Sequence, residues 1–366
     1  MTAFVESCVE TVAGSAVAIE RRSRGKPRAR QLLRALHDKK KILITTHSSP
    51  DPDAMASCTA LMQLLKVTLP SLKVEISFKG SIVSGMNAIF AQQADLQPVP
   101  WDEATLPDYD GIILLDTQPA FANCPLPAGI VPAAVIDHHR ASRGRRSKCG
   151  FCDVRPDVGA SSTIIFSYFM ELEVPISGDL GATLLYAIES DLAGAAGQPG
   201  ELDNIALSSL TLLADTRKLY KMRYVDLPQS YYVAYWEGLA SAVHYDHAII
   251  AHLDSIDSLE KPAIIADFLL RFDKVQWALV TALSGSTLML SLRTSAAKPS
   301  AAEMMRRLVK KIGQGGGHRT KAGGGIPLQN TIPAEIARVR GILRRRLLRA
   351  LNIQTSHAQR LVAAKA

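Results

Sequence analysis

Acidic residues and histidines follow several apolar runs of this sequence, at the points where the runs would end as strands. After "KILITT" the chain continues "HSSPDPD", which places His47, Asp51 and Asp53 in one short segment. Two prolines keep that segment out of a helix, so the three side chains are expected in a single loop. Imidazole and carboxylate groups gathered in this way are typical ligands of a divalent metal ion.

The same arrangement recurs further along the chain. Asp116 follows "GIILL", the run "AAVI" leads into Asp137, His138 and His139, and Asp191 ends the helix-like run "YAIESD". Open α/β sheets bind ligands at the carboxyl ends of their strands, so one pocket is expected to contain His47, Asp51, Asp53, Asp116 and His138. So many carboxylates would repel one another unless a divalent cation neutralised them. A set without cysteine favours Mn²⁺, with Mg²⁺, Co²⁺ and Zn²⁺ as alternatives.

The two adjacent histidines raise a separate question. Neighbouring side chains of an extended strand point to opposite faces, so His138 and His139 are expected to point apart and to have different tasks. From the residues alone, the individual tasks of Asp137, His138 and His139 stay open.

Strands alternate with helical segments over most of the chain, which is typical of a parallel α/β sheet. We predict an α/β fold in which a parallel-sheet domain is joined by a helical connector to a smaller α/β C-terminal domain. The glycine-rich stretch "GQGGGHRTKAGGG" is predicted to be a loop. The predicted parts are an N-terminal helix and linker (1–35), a catalytic domain (36–198), a connector (199–242), a second domain (243–352) and a tail (353–366).

Composition sets outer bounds on the function. The 366 residues carry a formal net charge of +8, which favours polyanionic partners such as nucleotides, RNA or polyphosphate. The sequence has no apolar run long enough for a transmembrane helix, so we expect a cytoplasmic protein with no membrane partner. Five cysteines are too few and too scattered for a disulfide framework, and "CGFC" (149–152) is expected to be a reduced loop. A basic helix near the C-terminus is interpreted as the closing helix of the second domain, with contact to RNA or an anionic membrane as the alternative.

Four segments together carry a resemblance to a known family. In order, "HSSPDPDAMAS", "LLDT", "VIDHH" and "ESD" resemble the four motifs of the DHH phosphoesterase superfamily. "LSLRTS" and "GQGGGHRTKAGG" resemble the C-terminal domain that accompanies DHH domains in small phosphoesterases. The resemblance covers about residues 35 to 345 and implies two α/β domains with the active site in the cleft between them.

The resemblance also implies a role for each matching residue. Two Mn²⁺ ions would be bound, with Mg²⁺ or Co²⁺ as substitutes, and Asp116 would bridge them. One ion would be held by His47, Asp51 and Asp116, and the other by Asp53, Asp116, His138 and Asp191.

Further roles follow from the same likeness. Asp137 would orient an imidazole or a metal-bound water, and His139 would meet the substrate phosphate or donate a proton to the leaving oxygen. In the second domain, the substrate would be bound by Arg293, Gly315, Gly316, Gly317 and His318.

The function implied is hydrolysis of phosphate esters in short oligonucleotides or small nucleotides, as in nanoRNases and 3′,5′-bisphosphate nucleotidases, by a water activated by two metals. A cyclic or linear dinucleotide phosphodiesterase and an exopolyphosphatase are alternatives, and a nucleotide-binding or RNA-binding module without catalysis is an alternative of a different class. Partners would be short RNA or DNA oligonucleotides or small phosphorylated nucleotides, and the resemblance admits a homodimer. Asp191 is followed by "LAGAAGQPGELD" rather than by the Thr-Gly pair of many oligonucleotide-cutting members, which leaves the substrate open.

Overall fold

The computed structural model describes residues 14, 28–48, 50–80, 85–140, 148–192, 199–317, 319–354, 356 and 358–362. These residues form two compact units, and the boundary between them lies between Val225 and Asp226. Most of the predicted N-terminal helix and linker, and the last residues of the tail, lie outside the described residues.

The first unit is built on a sheet of five parallel strands in the order β2-β1-β3-β4-β5. The predicted parallel α/β architecture is therefore confirmed. Three of the strands, β1, β3 and β4, were expected from their apolar runs, but β5 was missed because polar residues interrupt it. The strands are β1 (Lys41–Thr45), β2 (Lys73–Ile76), β3 (Gly111–Leu115), β4 (Ala134–Asp137) and β5 (Phe151–Val154).

Helices connect and cover these strands, and one of them begins in the acidic loop after β1. Asp51 is the N-cap of α2, where its side chain accepts a hydrogen bond from the Ala54 N–H at 3.0 Å, and Pro52 occupies the first turn. This is the usual chemistry of a helix start. A 3₁₀ turn at Glu103–Asp108 precedes β3. The described helices of this unit are α1 (Arg28–Leu36), α2 (Pro52–Thr68), α3 (Gly85–Gln93), α4 (Ser161–Leu172), α5 (Gly178–Leu192), α6 (Glu201–Leu213) and α7 (Thr216–Arg223).

A buried ion pair links β5 to α4 beneath the sheet edge. Arg155 and Asp153, both almost fully buried, form a bidentate pair at 2.6–3.1 Å, and the Tyr168 hydroxyl donates to Asp153 at 2.7 Å. The same arginine donates to the Ser167 hydroxyl. Through Ser167 and Tyr168, the pair connects the middle of α4 to β5.

The second unit contains a seven-stranded sheet in the order β10-β11-β9-β8-β7-β6-β12. Strands β7 and β8 are parallel, and the remaining pairs are antiparallel. Helix α9 packs on one face of the sheet and α10 on the other, which matches the predicted smaller α/β domain. Its elements are α8 (Gln229–Ser241), β6 (Val243–Tyr245), β7 (Ala248–Ser255), α9 (Lys261–Leu269), β8 (Trp277–Ser284), β9 (Thr287–Thr294), α10 (Ala301–Val309), β10 (Gln314–Gly317), β11 (Lys321–Pro327), α11 (Pro333–Ala350) and β12 (Ala358–Arg360).

The prediction that the glycine-rich stretch is a loop is wrong for most of its length, because it forms the paired strands β10 and β11. Packing explains two of its glycines. A Cβ at Gly315 would lie 2.7 Å from the Met305 side chain, and one at Gly317, whose φ is +144°, would lie 2.4 Å from a backbone oxygen. Gly316 differs, since a Cβ there would meet nothing within 4 Å.

The prediction of a reduced "CGFC" loop is also wrong. Cys149 and Cys152 are joined by a disulfide, with their Cα atoms 6.1 Å apart. The turn into β5 brings the two Cα atoms within the range that a disulfide spans.

Candidate metal centre

Six side chains converge at the carboxyl edge of the first sheet, and we call them the metal cluster. They come from the loop after β1, the start of α2, the ends of β3 and β4, and the last turn of α5. The metal cluster consists of His47, Asp51, Asp53, Asp116, His138 and Asp191. The structure therefore brings together all the residues that the sequence proposed as ligands.

Asp116 occupies the middle of the metal cluster. It follows β3 directly, with a left-handed φ of +55°, and its carboxylate is 3% exposed. His47 Nε2 lies 3.4 Å from its Oδ2, and His138 Nε2 lies 3.4 Å from its Oδ1. Each of its two oxygens therefore faces a different imidazole. The left-handed backbone, which Asp tolerates better than most residues, turns the carboxylate toward both.

The ligand atoms fall into overlapping groups that could each hold an ion. In three sets of side chains, all ligand atoms lie within 4.8 Å of one another. Asp116 belongs to two of these sets and His138 to two, so the sets share members. The sets are Asp116 with His138 and His139, His47 with Asp51 and Asp116, and Asp53 with His138 and Asp191.

Asp53 is held by the N-terminus of α4, an arrangement that the sequence did not reveal. Its two carboxylate oxygens accept the backbone N–H groups of Ser161 at 2.7 Å and of Ser162 at 2.8 Å. The Ser161 hydroxyl donates to Asp116 Oδ1 at 2.8 Å. Free N–H groups at a helix start bind anions well, so α4 fixes two carboxylates of the metal cluster at once.

The electrostatics of the metal cluster are those of a crowded anionic site. Burial, followed by the charges of Asp116 and Asp191, raises the pKa of Asp53 well above its usual range. Burial also acts to raise the pKa of Asp116, but the nearby histidines outweigh it and hold that pKa below its usual range. The imidazole of His47, although buried, has its pKa raised to about 9 by the carboxylates around it. The carboxylates of the metal cluster therefore favour a positive charge among them.

Asp137 and His139 form a pair beside the metal cluster. Asp137 is fully buried, and His139 Nδ1 lies 2.6 Å from its Oδ1. Gln118 Nε2 donates to the other oxygen at 2.7 Å and to the His139 carbonyl at 3.0 Å, which fixes both residues. Burial lowers the pKa of His139, but Asp116 and Asp137 together raise it to about 9.

The expectation that the two histidines point apart is not met. The rings of His138 and His139 lie 4.4 Å apart, and His139 Nδ1 is also 3.6 Å from Asp116 Oδ1. The reason is that β4 ends at Asp137, so the alternation of an extended strand no longer applies. His139 therefore lies within reach of the metal cluster as well as of Asp137.

The predicted substrate-binding residues belong to the second unit. Arg293 is on β9, where its Nε donates to Asp267 at 2.7 Å and its guanidinium also reaches the Ser291 hydroxyl at 3.0 Å. Its cross-strand neighbour is Lys321. Gly315, Gly316 and Gly317 form β10, and His318 lies outside the described residues.

The donor set fits divalent cations. Carboxylate oxygens and imidazole nitrogens, with no thiolate among the six side chains, are the ligands that Mn²⁺ and Mg²⁺ accept. The backbone and hydroxyl donors on Asp53 and Asp116 supply the outer hydrogen bonds that usually orient metal ligands. Among the helices that the structure describes, none combines the length and apolar character that crossing a bilayer requires.

Fold and site together define a parallel-sheet α/β protein with a cluster of Asp and His side chains at the carboxyl ends of its strands. Residues 41–188 match the model of the DHH family, N-terminal domain. This part of the chain is therefore a DHH-family N-terminal domain, as the four motifs of the sequence predicted.

Known proteins resemble the chain over different lengths. It is 28% identical over 310 residues to the uncharacterized protein MJ1633 of Methanocaldococcus jannaschii, covering 83% of this chain. It is 26% identical over 176 residues, or 48% of this chain, to a probable manganese-dependent inorganic pyrophosphatase of Listeria innocua. The chain spans only 62% and 56% of the length of these two relatives.

A solved structure shares the fold over most of the chain. It is an exopolyphosphatase-related protein from Bacteroides fragilis, with a TM-score of 0.68 and 17% identity. The match covers 88% of this chain and 97% of the other. The two-domain α/β architecture predicted from the sequence is thus found in a known protein.

Proposed function

We propose that this protein is a metal-dependent phosphoesterase that hydrolyses phosphate ester bonds of short oligonucleotides or small nucleotides. The observation that carries the proposal is the position of Asp116, whose oxygens face His47 and His138 on two sides at 3.4 Å. Such a carboxylate is suited to bridge two cations. The preferred ion is Mn²⁺, with Mg²⁺ or Co²⁺ as substitutes.

Each residue of the metal cluster has a proposed place. His47 and Asp51 would share one ion with Asp116. Asp53, His138 and Asp191 would share the second ion with the same carboxylate. When bound, such a pair of ions lowers the pKa of a water and stabilises the charge that develops on a phosphate undergoing in-line attack.

The chain's own groups would position the reactants and move the proton. Asp137 and Gln118 hold the His139 ring in one orientation, with Nδ1 committed to Asp137 at 2.6 Å. We expect Nε2 of His139 to donate a proton to the leaving oxygen, while Asp137 stabilises the charged ring. Ser161 would keep Asp116 from rotating as charge builds up on the phosphate.

In the second unit, Arg293, the three glycines of β10 and His318 are proposed to bind the substrate's phosphate end. Gly316 supports this most directly, because the space beside it would admit a close approach of backbone and phosphate. Gly315 and Gly317 have packing reasons of their own.

A second substrate class has support of its own. The relative from Listeria innocua is named as an inorganic pyrophosphatase, and the solved neighbour as exopolyphosphatase-related. Hydrolysis of phosphoanhydrides in pyrophosphate or polyphosphate is therefore the runner-up activity. Cyclic and linear dinucleotides come next, and a metal-free binding module remains the non-enzymatic alternative.

The test is turnover of bis(p-nitrophenyl) phosphate by the full chain with Mn²⁺ and with EDTA, followed by a panel of dinucleotides, 3′-phosphoadenosine 5′-phosphate, pyrophosphate and polyphosphate. The matched variant is Asp116→Asn, because Asn tolerates the left-handed backbone that Asp116 adopts. We expect Mn²⁺-dependent turnover that this variant loses by at least about a hundredfold. Equal turnover in EDTA, or a fully active variant, would contradict the two-metal proposal, and binding without any turnover would favour the non-enzymatic module.

A further inference from the structure

The positive charge of this protein is concentrated on two helices of the second unit. Residues 301–311, which contain α10, and residues 333–350, which form α11, hold ten basic and two acidic residues. Their formal charge of +8 equals that of the whole chain. The excess of basic residues is therefore confined to these two segments, and the remainder of the chain is formally neutral.

A cavity of about 410 Å³ lies between these helices. The lining residues from α11 are spaced three and four positions apart, so they lie on one face of that helix. The opposite faces of both helices are buried in the core through residues such as Leu308 and Leu347. Six cations and two apolar residues line the cavity: Arg307, Lys310, Lys311, Ile342, Arg345, Arg346, Arg349 and Ala350.

One of the six cations has a structural task. Arg346 donates to the carbonyls of Leu308 and Lys310, where α10 ends and its last carbonyls need donors. Other arginines of α11 point elsewhere: Arg338 pairs with Glu335, and Arg340 donates to the carbonyl of Leu253. These three arginines of α11 therefore have partners within the protein.

Within the described part of the chain, no comparable contact is seen for the other five cations of the cavity. Among the described residues, no carboxylate lies within ion-pair distance of Arg307, Lys310, Lys311, Arg345 or Arg349. The acidic residues of the two helices are engaged elsewhere, since Glu303 bonds to Ser300 in the capping box of α10 and Glu335 bonds to Arg338. Like charges so placed repel one another, and a bound anion would remove that repulsion.

The lining also indicates which anion fits. Sites for drug-sized ligands are mostly apolar, whereas this cavity offers only Ile342 and Ala350 as apolar contacts. It presents no aromatic side chain on which a base could stack, as single-stranded nucleic-acid sites usually do. It lacks the broad apolar face with which an amphipathic helix enters a bilayer, because the apolar side of α11 is buried. What remains is recognition of closely spaced phosphates.

We propose that the cavity between α10 and α11 is a binding site for a condensed phosphate chain, either inorganic or as the tail of a nucleoside polyphosphate. The site uses residues of the second unit alone and none from the metal cluster. It is an accessory anion site, and it goes beyond the proposed hydrolysis.

The test is calorimetric titration of the full chain with inorganic tripolyphosphate, in EDTA and at about 0.15 M KCl, where long-range attraction between exposed charges is screened. EDTA removes the metal ions, so the proposed hydrolysis cannot consume the probe. The cavity variant is R345Q/R349Q. The matched control is R306Q/R344Q, which removes the same charge from one exposed position of α10 and one of α11 that do not line the cavity.

We expect the wild type to bind tripolyphosphate, the cavity variant to bind at least about tenfold more weakly, and the control to stay within about twofold. Equal losses in the two variants would reduce the effect to overall charge and overturn the proposal, as would absence of binding by the wild type. A single-stranded RNA oligomer that binds through the same arginines while tripolyphosphate does not would overturn it in favour of a nucleic-acid backbone.

The two sources of the phosphate chain are separated by a second titration with ATP in the same buffer. Equal affinity for ATP and tripolyphosphate would support recognition of the phosphates alone. Tighter binding of ATP would support a nucleoside polyphosphate as the occupant. Either result supports the site, provided the cavity variant weakens it.

Discussion

Removal of the Ser161 hydroxyl should weaken metal binding, although Ser161 is not itself a proposed metal ligand. Ser161 is fully buried, and its hydroxyl donates to Asp116 Oδ1 at 2.8 Å. In Ser161→Ala the carboxylate loses this donor, while the backbone N–H of residue 161 still binds Asp53. A hydrogen bond to a charged group contributes about 1.5–3 kcal/mol. Loss of partners that orient metal ligands raises dissociation constants about 10–100-fold, which is a comparable free energy.

The measurement is a Mn²⁺ titration of the metal-free protein by calorimetry, with urea unfolding as a second readout. Ser209→Ala is the matched control, because Ser209 is also buried in the first unit but donates only to the Ile205 carbonyl of its own helix. We expect the control to bind Mn²⁺ within about twofold of the wild type. If Ser161→Ala also stayed within twofold, the hydroxyl would not orient Asp116 and the reasoning from the α4 terminus would fail.

Three further predictions follow from contacts elsewhere in the fold. Arg155→Met removes the bidentate cation from the buried Asp153 carboxylate and leaves it with the Tyr168 hydroxyl and with Arg28, whose Nε lies 3.6 Å away. Chemical unfolding should therefore show the first unit destabilised by about 3 kcal/mol, unless Asp153→Leu in the same chain restores it. Burial, together with two nearby arginines, lowers the pKa of His252 to about 4, below its ordinary value of about 6.5. The unfolded chain therefore binds a proton that the folded one does not, and about 3 kcal/mol of stability should be lost as pH falls from 6.5 to 4, a loss absent from His252→Gln. Gly315→Ala should lower thermal stability by about 1–3 kcal/mol through overpacking, whereas Gly316→Ala should leave it within about 0.5 kcal/mol and instead reduce turnover.

Much of the metal cluster could be predicted because one rule of sheet geometry governs it. Asp116 and His138 follow apolar runs, and parallel strands deliver their carboxyl ends to one edge. The loop from His47 to Asp53 carries its own prolines, which mark it as irregular. Asp191, by contrast, lies on a helix and was placed by family resemblance, since nothing in its neighbours fixes where that helix packs.

The parts that were missed depend on tertiary contacts without a local signal. Ser161 and Ser162 look like ordinary helix residues, and only the fold brings their N–H groups to Asp53. The end of β4 at Asp137 could not be located to one residue, so the two histidines were assigned opposite faces. The strand β10 consists almost wholly of glycine, whose low strand propensity hid the pairing that its neighbours impose.

The residues of the metal cluster come from distant parts of the chain, so the complete site can form only late in synthesis. Its members span His47 to Asp191, and β1 must pair with β3 across two intervening helices, the strand β2 and a 3₁₀ turn. At typical translation rates the last carboxylate emerges on the order of 10 s after the first histidine. Until then the early strands have exposed edges and an incomplete set of ligands. A nascent chain is therefore expected to bind metal only loosely, and tight binding would mark completion of the first unit.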